Sequence, residues 1–328
     1  MLLTDPATLL HALLLALALD ALIGDPAWLY RRVPHPVALM GCTIAWLERR
    51  WLDLSQPPSI LRRRGLLLGA LVVAVSALAG LGLQWLCLQM PLGWLLLGLL
   101  MSSLVAQRGL YQHVAAVAAG LNEGLAQGRV AVAHIVGRDP EQLDEPAVAR
   151  AAIESTAENF SDGVVAPLLW GALLGLPGML AYKAINTADS MIGHRTPRHA
   201  DFGRFAARLD DVASWLPARL AALLLLAAAC FAPGATPAAG WRALWRDAAR
   251  HRSVNAGWPE AAMAGSLGLR LAGPRRYGGQ LVEDAWMGNG TPLATPGDIR
   301  GALKVLVRAC VLTAALLALM LGLPPAGM

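Results

Sequence analysis

The feature that most limits what this chain can fold into is the gathering of its apolar residues into runs as long as a bilayer is thick. A hydrocarbon core of about 30 Å takes roughly 20 residues of helix. Leu66 to Leu88 and Val305 to Leu323 meet that length, with Arg308 the only charged residue in either. Leu92 to Ala106 follows Pro91, so it pairs with the run before it as a helical hairpin with a very short turn. Val164 to Tyr182 and Leu216 to Phe231 are also long enough. Pro167, Gly171, Gly175, Pro177 and Gly178 interrupt the former, which predicts a kinked or re-entrant helix lining a protein cavity. Ala7 to Ile23 reads as a retained first span rather than a signal peptide, because no basic region leads it and Asp20 lies near its end. The expected fold is all-α, a polytopic helical membrane protein with about 4–6 spans or re-entrant segments. A single membrane domain over 1–328 is expected, with polar insertions at 24–64, 107–163, 183–215 and 233–303 forming the site.

Composition agrees. Only 15% of the residues are charged and 56% are hydrophobic, whereas a soluble domain carries about a quarter charged. The net charge of +5 comes from 25 Arg and 2 Lys against 22 carboxylates. Its clusters, Arg49, Arg50 and Arg62 to Arg64, flank apolar runs and mark a cytoplasmic side rather than a nucleic-acid surface. The stretches at 183–215 and 233–303 are Arg-rich too, so simple alternation does not put every basic loop inside; a re-entrant 164–182 relieves part of that conflict. Cys42, Cys87, Cys230 and Cys310 are widely spaced, without a CxxC pair, and support neither a disulfide framework nor a zinc site.

Four polar strings carry the chemistry. Asp144-Glu145-Pro146 reads as a helix start, with the helix running to about Phe160. On it Glu154 and Glu158 share a face at i and i+4, near Asn159, Ser161 and Asp162; like charges at that spacing repel unless a cation neutralises them. The alternative is a solvated acidic face. Lys183, Asn186, Asp189 and Ser190 recur at helical spacing directly after an apolar segment and make one face polar. Lys183 alone reads equally well as a snorkelling side chain. Over Arg204 to Trp215, an apolar stripe of Phe205, Leu209, Val212 and Leu216 runs beside Arg204, Arg208, Asp211 and Trp215. Two arginines one turn apart suit a phosphate, and a nearby Asp suits Mg²⁺; an internal Arg208–Asp211 ion pair is the plainer reading. Asp210 and Asp211 point about 100° apart, so one of them faces the site. Asn255 and the Gly-rich stretch around Tyr277 mark ordered loops that could cradle an anion. No Walker loop, dinucleotide fingerprint, HExxH or GxSxG is present.

Taken in order, these strings resemble the adenosylcobinamide-phosphate synthase family of cobalamin biosynthesis. The likeness runs through Asp20, Gly24-Asp25-Pro26, His35-Pro36 and Met40-Gly41, then Glu154-Ser-Thr-Ala-Glu158-Asn159 to Pro167, and Tyr182 to Ser190. It continues in Gly203, Ala207-Arg208-Leu-Asp210-Asp211, Pro217-Ala-Arg219, Asn255-Ala-Gly257-Trp258-Pro259-Glu260 to Gly265, and Tyr277-Gly278-Gly279. The stretches at 52–106 and 305–328 are generic apolar sequence. The resemblance implies ATP-dependent amide ligation of adenosylcobyric acid with (R)-1-aminopropan-2-ol O-2-phosphate, or ethanolamine phosphate, with Mg²⁺ as the metal.

On that reading Glu154, Glu158, Asp189 and Lys183 are the expected catalytic groups. Arg204, Arg208, Asn186, Ser190, Asn255 and Tyr277 are the expected ATP- and phosphate-binding groups, and Asp189, Asp211, Asp210 and Glu158 the expected Mg²⁺ ligands, with Asp211 favoured over its neighbour. The expected partners are the two substrates, the lipid bilayer, and further copies of the chain or other membrane proteins of cobalamin assembly, without nucleic acid. The expected location is the bacterial cytoplasmic membrane, the site facing the cytoplasm. Two alternatives stand beside this reading, an intramembrane Mg²⁺-dependent prenyl or phosphoalcohol transferase and a corrinoid transporter. The paired DGxxAR-type motifs of the first are absent, and no internal repeat supports the second.

Overall fold

The structure is a computed structural model that describes residues 5–136, 140–194, 196–277 and 280–322, without the side chains of 275–277 and 280–282. In chain order its helices are α1 (Pro6–Leu22), α2 (Ala27–Tyr30), α3 (Pro36–Trp51), α4 (Pro58–Leu88), α5 (Gly93–Ser102), α6 (Gln107–Glu123) and α7 (Leu125–Val132). They continue with α8 (Glu145–Phe160), a π-helical turn (Ser161–Val165), α9 (Ala166–Ile192), α10 (Arg204–Ala213), α11 (Trp215–Ala229), α12 (Pro237–Asp247), α13 (Gly257–Ser266) and α14 (Pro296–Leu321). Four strands of two or three residues, β1 (Leu271–Ala272), β2 (Arg275–Tyr277), β3 (Gln280–Val282) and β4 (Trp286–Met287), pair antiparallel as β1 with β4 and β2 with β3. The fold is helical, as the apolar runs require.

Helix starts follow local chemistry. Asp144 accepts the amide of Ala147 and Pro146 occupies the first turn of α8, the start that the acids and proline predict; α8 also ends at Phe160 as expected. Asp5 caps α1 through Thr8 N, and His35 Nδ1 caps α3 through Val37 N.

Four helical stretches among the described residues are long and apolar enough to cross a membrane: Pro58–Leu88, Gly93–Glu123, Glu145–Ile192 and Pro296–Leu321. A fifth arises if α10 and α11, bent by 46°, count as one. The apolar part of that pair runs from Val212 to Ala229 with Arg219 its only charge, so the charged residues of α10 lie outside it. The expected first span, α1, has 17 residues, about 26 Å at 1.5 Å per residue, and stands beside the four as a shorter apolar helix. It ends where the chain turns at Gly24, φ 67°.

The chain forms two compact units. The first comprises α1 to α5, α9, α10 and the segment from Leu317 onward; the second comprises α6 to α8, the π turn, α11 to α13, the strands and most of α14.

In the first unit, α4 exposes Leu66, Leu67, Leu71, Val75, Leu78 and Trp85, and its buried face sets Gly65, Gly69, Ser76, Gly80 and Gln84 among Leu61, Leu68, Val72 and Cys87. Lipid tails solvate leucine as well as a protein core does, so small residues take the helix seam. The break expected within 164–182 is present: α9 leaves helical geometry at Gly175 (φ 70°, ψ −155°), two residues before Pro177. Gln84 mends it, since its Oε1 accepts the Leu176 amide at 2.8 Å. A backbone amide at membrane depth needs such a partner.

In the second unit, α13 is buried along its length, and Ala262 packs with Ala222 and Leu226 of α11 and Leu244 of α12, Trp258 lying against them. Two buried carboxylates pin the strands: Glu154 Oε1 accepts the Ala272 amide at 2.8 Å and Asp247 Oδ2 accepts the Gly288 amide at 2.9 Å.

Candidate functional site

The polar face at the end of α9 and the helix α10 build the richest cluster in the first unit. Lys183, Asn186 and Asp189 are half-buried, and Ser190 is exposed. Asn186 Nδ2 donates to Asp210 Oδ1 at 3.4 Å, and Ser214 Oγ donates to Asp210 Oδ2 at 3.4 Å. Behind them, the hydroxyls of buried Tyr182 and Ser214 lie 3.2 Å apart. Trp170 Nε1 donates to Ala213 O at 3.1 Å and so holds the end of α10 against α9. Asp210 and Asp211 diverge as their spacing requires, and it is Asp210 that turns inward while Asp211, Arg204 and Arg208 are exposed. The preference for Asp211 is therefore reversed, for a packing reason: Ala206 and Ala213, on the side of Asp210, are buried. The stripe of Phe205, Leu209, Val212 and Leu216 is only half a core stripe, because Val212 and Leu216 are 74% and 46% exposed.

Burial, with the negative charge of Asp189 beside it and Asp211 further off, pushes the Asp210 carboxyl up to about 7, against the hydrogen bonds of Asn186 and Ser214. Two acids facing each other at this burial call for a proton or a cation. The backbone fixes the other partner. A Cβ on Gly193 would sit 1.9 Å from Asp189 Oδ1, so only glycine lets that carboxylate fold back over the end of α9, where Gly193 N donates to Asp189 O at 2.7 Å.

Mg²⁺ is usually held by one or two carboxylates with waters and substrate phosphates completing the octahedron. Asp189, Asp210 and the Asn186 amide fit that partial donor set. They do not form an all-protein cage, and no group of three or more His, Cys, Asp or Glu side chains among the described residues is arranged to hold a metal ion. Of the four expected acids, Asp189 acts directly on Asp210 in the first unit, while Asp211 is exposed on the same helix.

The remaining expected residues lie in the second unit. Glu158 and Asn159 are exposed on α8, and Asn159 Nδ2 donates to Ser155 O and Oγ. Glu154 is buried and its Oε1 accepts the Ala272 amide, a contact that i,i+4 spacing does not reveal. Asn255 is buried too, and its Oδ1 accepts from Arg219 Nη1 at 3.0 Å. That guanidinium also donates to Trp215 O and Val254 O and lies 4.2 Å and 4.5 Å from the ring centroids of Trp215 and Trp258. Tyr277 contributes backbone to β2, and its side chain lies outside the described residues.

Sequence reasoning missed Ser214, Trp170 and Gly193. Ser214 stands four residues after Asp210, and that spacing was the available signal; no pattern announces the other two.

Apolar stretches long enough to span, a broken helix mended by a side chain, and acids with a lysine and arginines at span ends define a polytopic helical membrane protein with a polar site. The chain belongs to the CobD/CbiB family: the family described as CobD/Cbib protein matches residues 13–306. It is 50% identical over 311 residues to the cobalamin biosynthesis protein CobD of Sinorhizobium sp, covering 94% of this chain and 96% of the relative. The proteins of the same description from Brucella suis biovar 1 (49% over 325 residues; 95% and 99% covered) and Rhodobacter capsulatus (46% over 302 residues; 90% and 92%) are similar along their length as well. No solved structure matches the chain.

Proposed function

We propose that this chain acts in cobalamin biosynthesis as an ATP-dependent ligase, joining adenosylcobyric acid to (R)-1-aminopropan-2-ol O-2-phosphate, or to ethanolamine phosphate, in the cytoplasmic membrane with its site toward the cytoplasm. The observation that carries the reading is the full-length likeness to proteins described as cobalamin biosynthesis protein CobD. The Asp189–Asp210 cluster supports it.

Forming an amide from a carboxylate is uphill in water until the acid is activated. The corrinoid carboxylate takes the γ-phosphoryl group of ATP, giving an acyl phosphate and ADP; the amine attacks its carbonyl, the C–N bond forms, and phosphate leaves. Phosphoryl transfer asks mainly for positioning and charge neutralisation. Mg²⁺, when bound, supplies neutralisation of phosphate charge. Asp189 and Asp210 would hold it, with Asn186 orienting Asp210. Lys183 provides a cation on the same face of α9, and exposed Arg204 and Arg208 stand one turn apart for phosphate.

The test is incubation of detergent-purified protein with adenosylcobyric acid, aminopropanol phosphate, Mg²⁺ and ATP, followed by mass spectrometry of the corrinoid. An ATP-dependent mass gain equal to the amide is expected. Corrinoid bound without product would favour a carrier, and phosphoalcohol transfer to lipid would favour the transferase. Asp189→Asn is expected to abolish turnover in folded, membrane-inserted protein; full activity would remove Asp189 from the site.

A further inference from the structure

The helix α12 has two unlike exposed rows. Trp241 and Trp245, one turn apart, are 46% and 62% exposed, and their rings meet edge to face at 5.6 Å. Beside them Arg242 and Arg246 form a parallel exposed row that Arg250 extends past the helix end. The opposite face, Gly240, Ala243, Leu244 and Asp247, is buried. In water two adjacent exposed tryptophans are a liability, and the protein has nonetheless made them rigid. Trp245 is braced edge-on by Trp258 at 5.8 Å, and Trp258 packs on the Ala222, Leu226, Leu244 and Ala262 core.

Three observations say what covers this face. The apolar helix α11 ends at Ala229, Phe231 just beyond it is 66% exposed, and α12 begins at Pro237. Gly240 sits against Leu226 near the end of α11, where a Cβ would lie 2.7 Å from Leu226 Cδ2, so α12 starts at the depth where the apolar run stops. Charge is the third. Asp247 bonds Arg246 and lies 3.8 Å from Arg250, but it is one carboxylate against three arginines, and it also accepts the Gly288 amide. Arg242 Nε donates to Ala238 O of its own helix. Tryptophan prefers the boundary between headgroups and acyl chains, and arginine beside it reaches the phosphates.

We propose that α12 lies in the membrane interface, with Trp241 and Trp245 at the acyl boundary and Arg242, Arg246 and Arg250 on the phosphates of anionic lipid. The helix does not cross the bilayer; it sets the depth of the second unit at the surface. The assignment is independent of the ligase reading.

The test reconstitutes the full chain and its W241F/W245F variant in nanodiscs of phosphatidylcholine with or without phosphatidylglycerol. The emission that the double variant removes is expected to be quenched by lipids brominated near the headgroup, weakly by lipids brominated near the chain end, and little by aqueous acrylamide. In parallel, R242A/R250A is expected to lower the enrichment of phosphatidylglycerol around the protein by on the order of fivefold per arginine. Quenching of the removed emission by acrylamide alone would place the face in water. Insensitivity to lipid and acrylamide alike would mean that protein covers it, and unchanged phosphatidylglycerol enrichment would remove the anionic partner. Each of these results overturns the proposal.

Discussion

The mended break in α9 makes the sharpest quantitative prediction. Gln84→Leu removes the acceptor of the Leu176 amide and leaves a buried N–H unpartnered where Gln84 is only 5% exposed. An unmade buried hydrogen bond costs about 1–3 kcal/mol in general, and helix-to-helix bonds in membranes fall at the lower end, so a loss of about 1–2 kcal/mol is expected. Gly175→Ala places a side chain at φ 70°, ψ −155°, a region held almost only by glycine, with the new Cβ 2.3 Å from Gln84 Oε1. Its strain is about 1–3 kcal/mol, and the collision expels the same amide that Gln84→Leu deletes. The two changes therefore share one hydrogen bond, and the double variant should be less destabilised than the sum of the singles by about 1 kcal/mol or more. SDS-induced unfolding of the four proteins in detergent, followed by circular dichroism, measures the cycle. Additive losses, or a Gln84→Leu protein as stable as wild type, would refute the claim that this side chain mends the broken helix.

Other consequences concern the site and its frame. Gly193→Ala should lower turnover by about a hundredfold or more with little loss of helix content, because the new methyl displaces the Asp189 carboxylate by an ångström or so; unchanged kcat would contradict the fold-back geometry. Asp210→Asn should stabilise Mg²⁺-free protein at alkaline pH while abolishing ligation. The raised carboxyl loses native stability as pH climbs from 3.8 to about 7, at most about 4 kcal/mol at about 1.4 kcal/mol per decade, and Asn carries no such cost. A variant no more stable than wild type at pH 8 in EDTA would refute this. Glu48 is held below the usual glutamate range: burial pushes it up, but hydrogen bonds from His199 and Arg198 outweigh that. Its contribution is present above the ordinary glutamate value and is lost as pH falls through the lowered one. Glu48→Gln should thus cost about 1.5–3 kcal/mol near pH 7, with a gap that closes in acid; a pH-independent gap would contradict the ion pair.

Much of this molecule was legible in one dimension because its causes are local or periodic. Twenty apolar residues in a row span about 30 Å whatever surrounds them, so the membrane class followed from the runs themselves. Asp144 and Pro146 start a helix by bonding or lacking amides within one turn. The glycines and prolines of 171–178 announced a break, and the spacing of Lys183, Asn186 and Asp189 announced a polar face.

What the sequence left open was decided by partners far away in the chain. Gln84 mends a break 92 residues on, and Glu154, which shares a face with Glu158 by spacing, accepts an amide 118 residues away. Asp210 and Asp211 are equivalent as letters; Trp170 bonding Ala213 O, with Tyr182 and Ser214 behind, turned one inward. Helical periodicity gives the angle between neighbouring side chains but not the rotation of the helix in its bed. That rotation is chosen by which small residues let backbones approach and which buried donors find acceptors, a property of the packed structure alone.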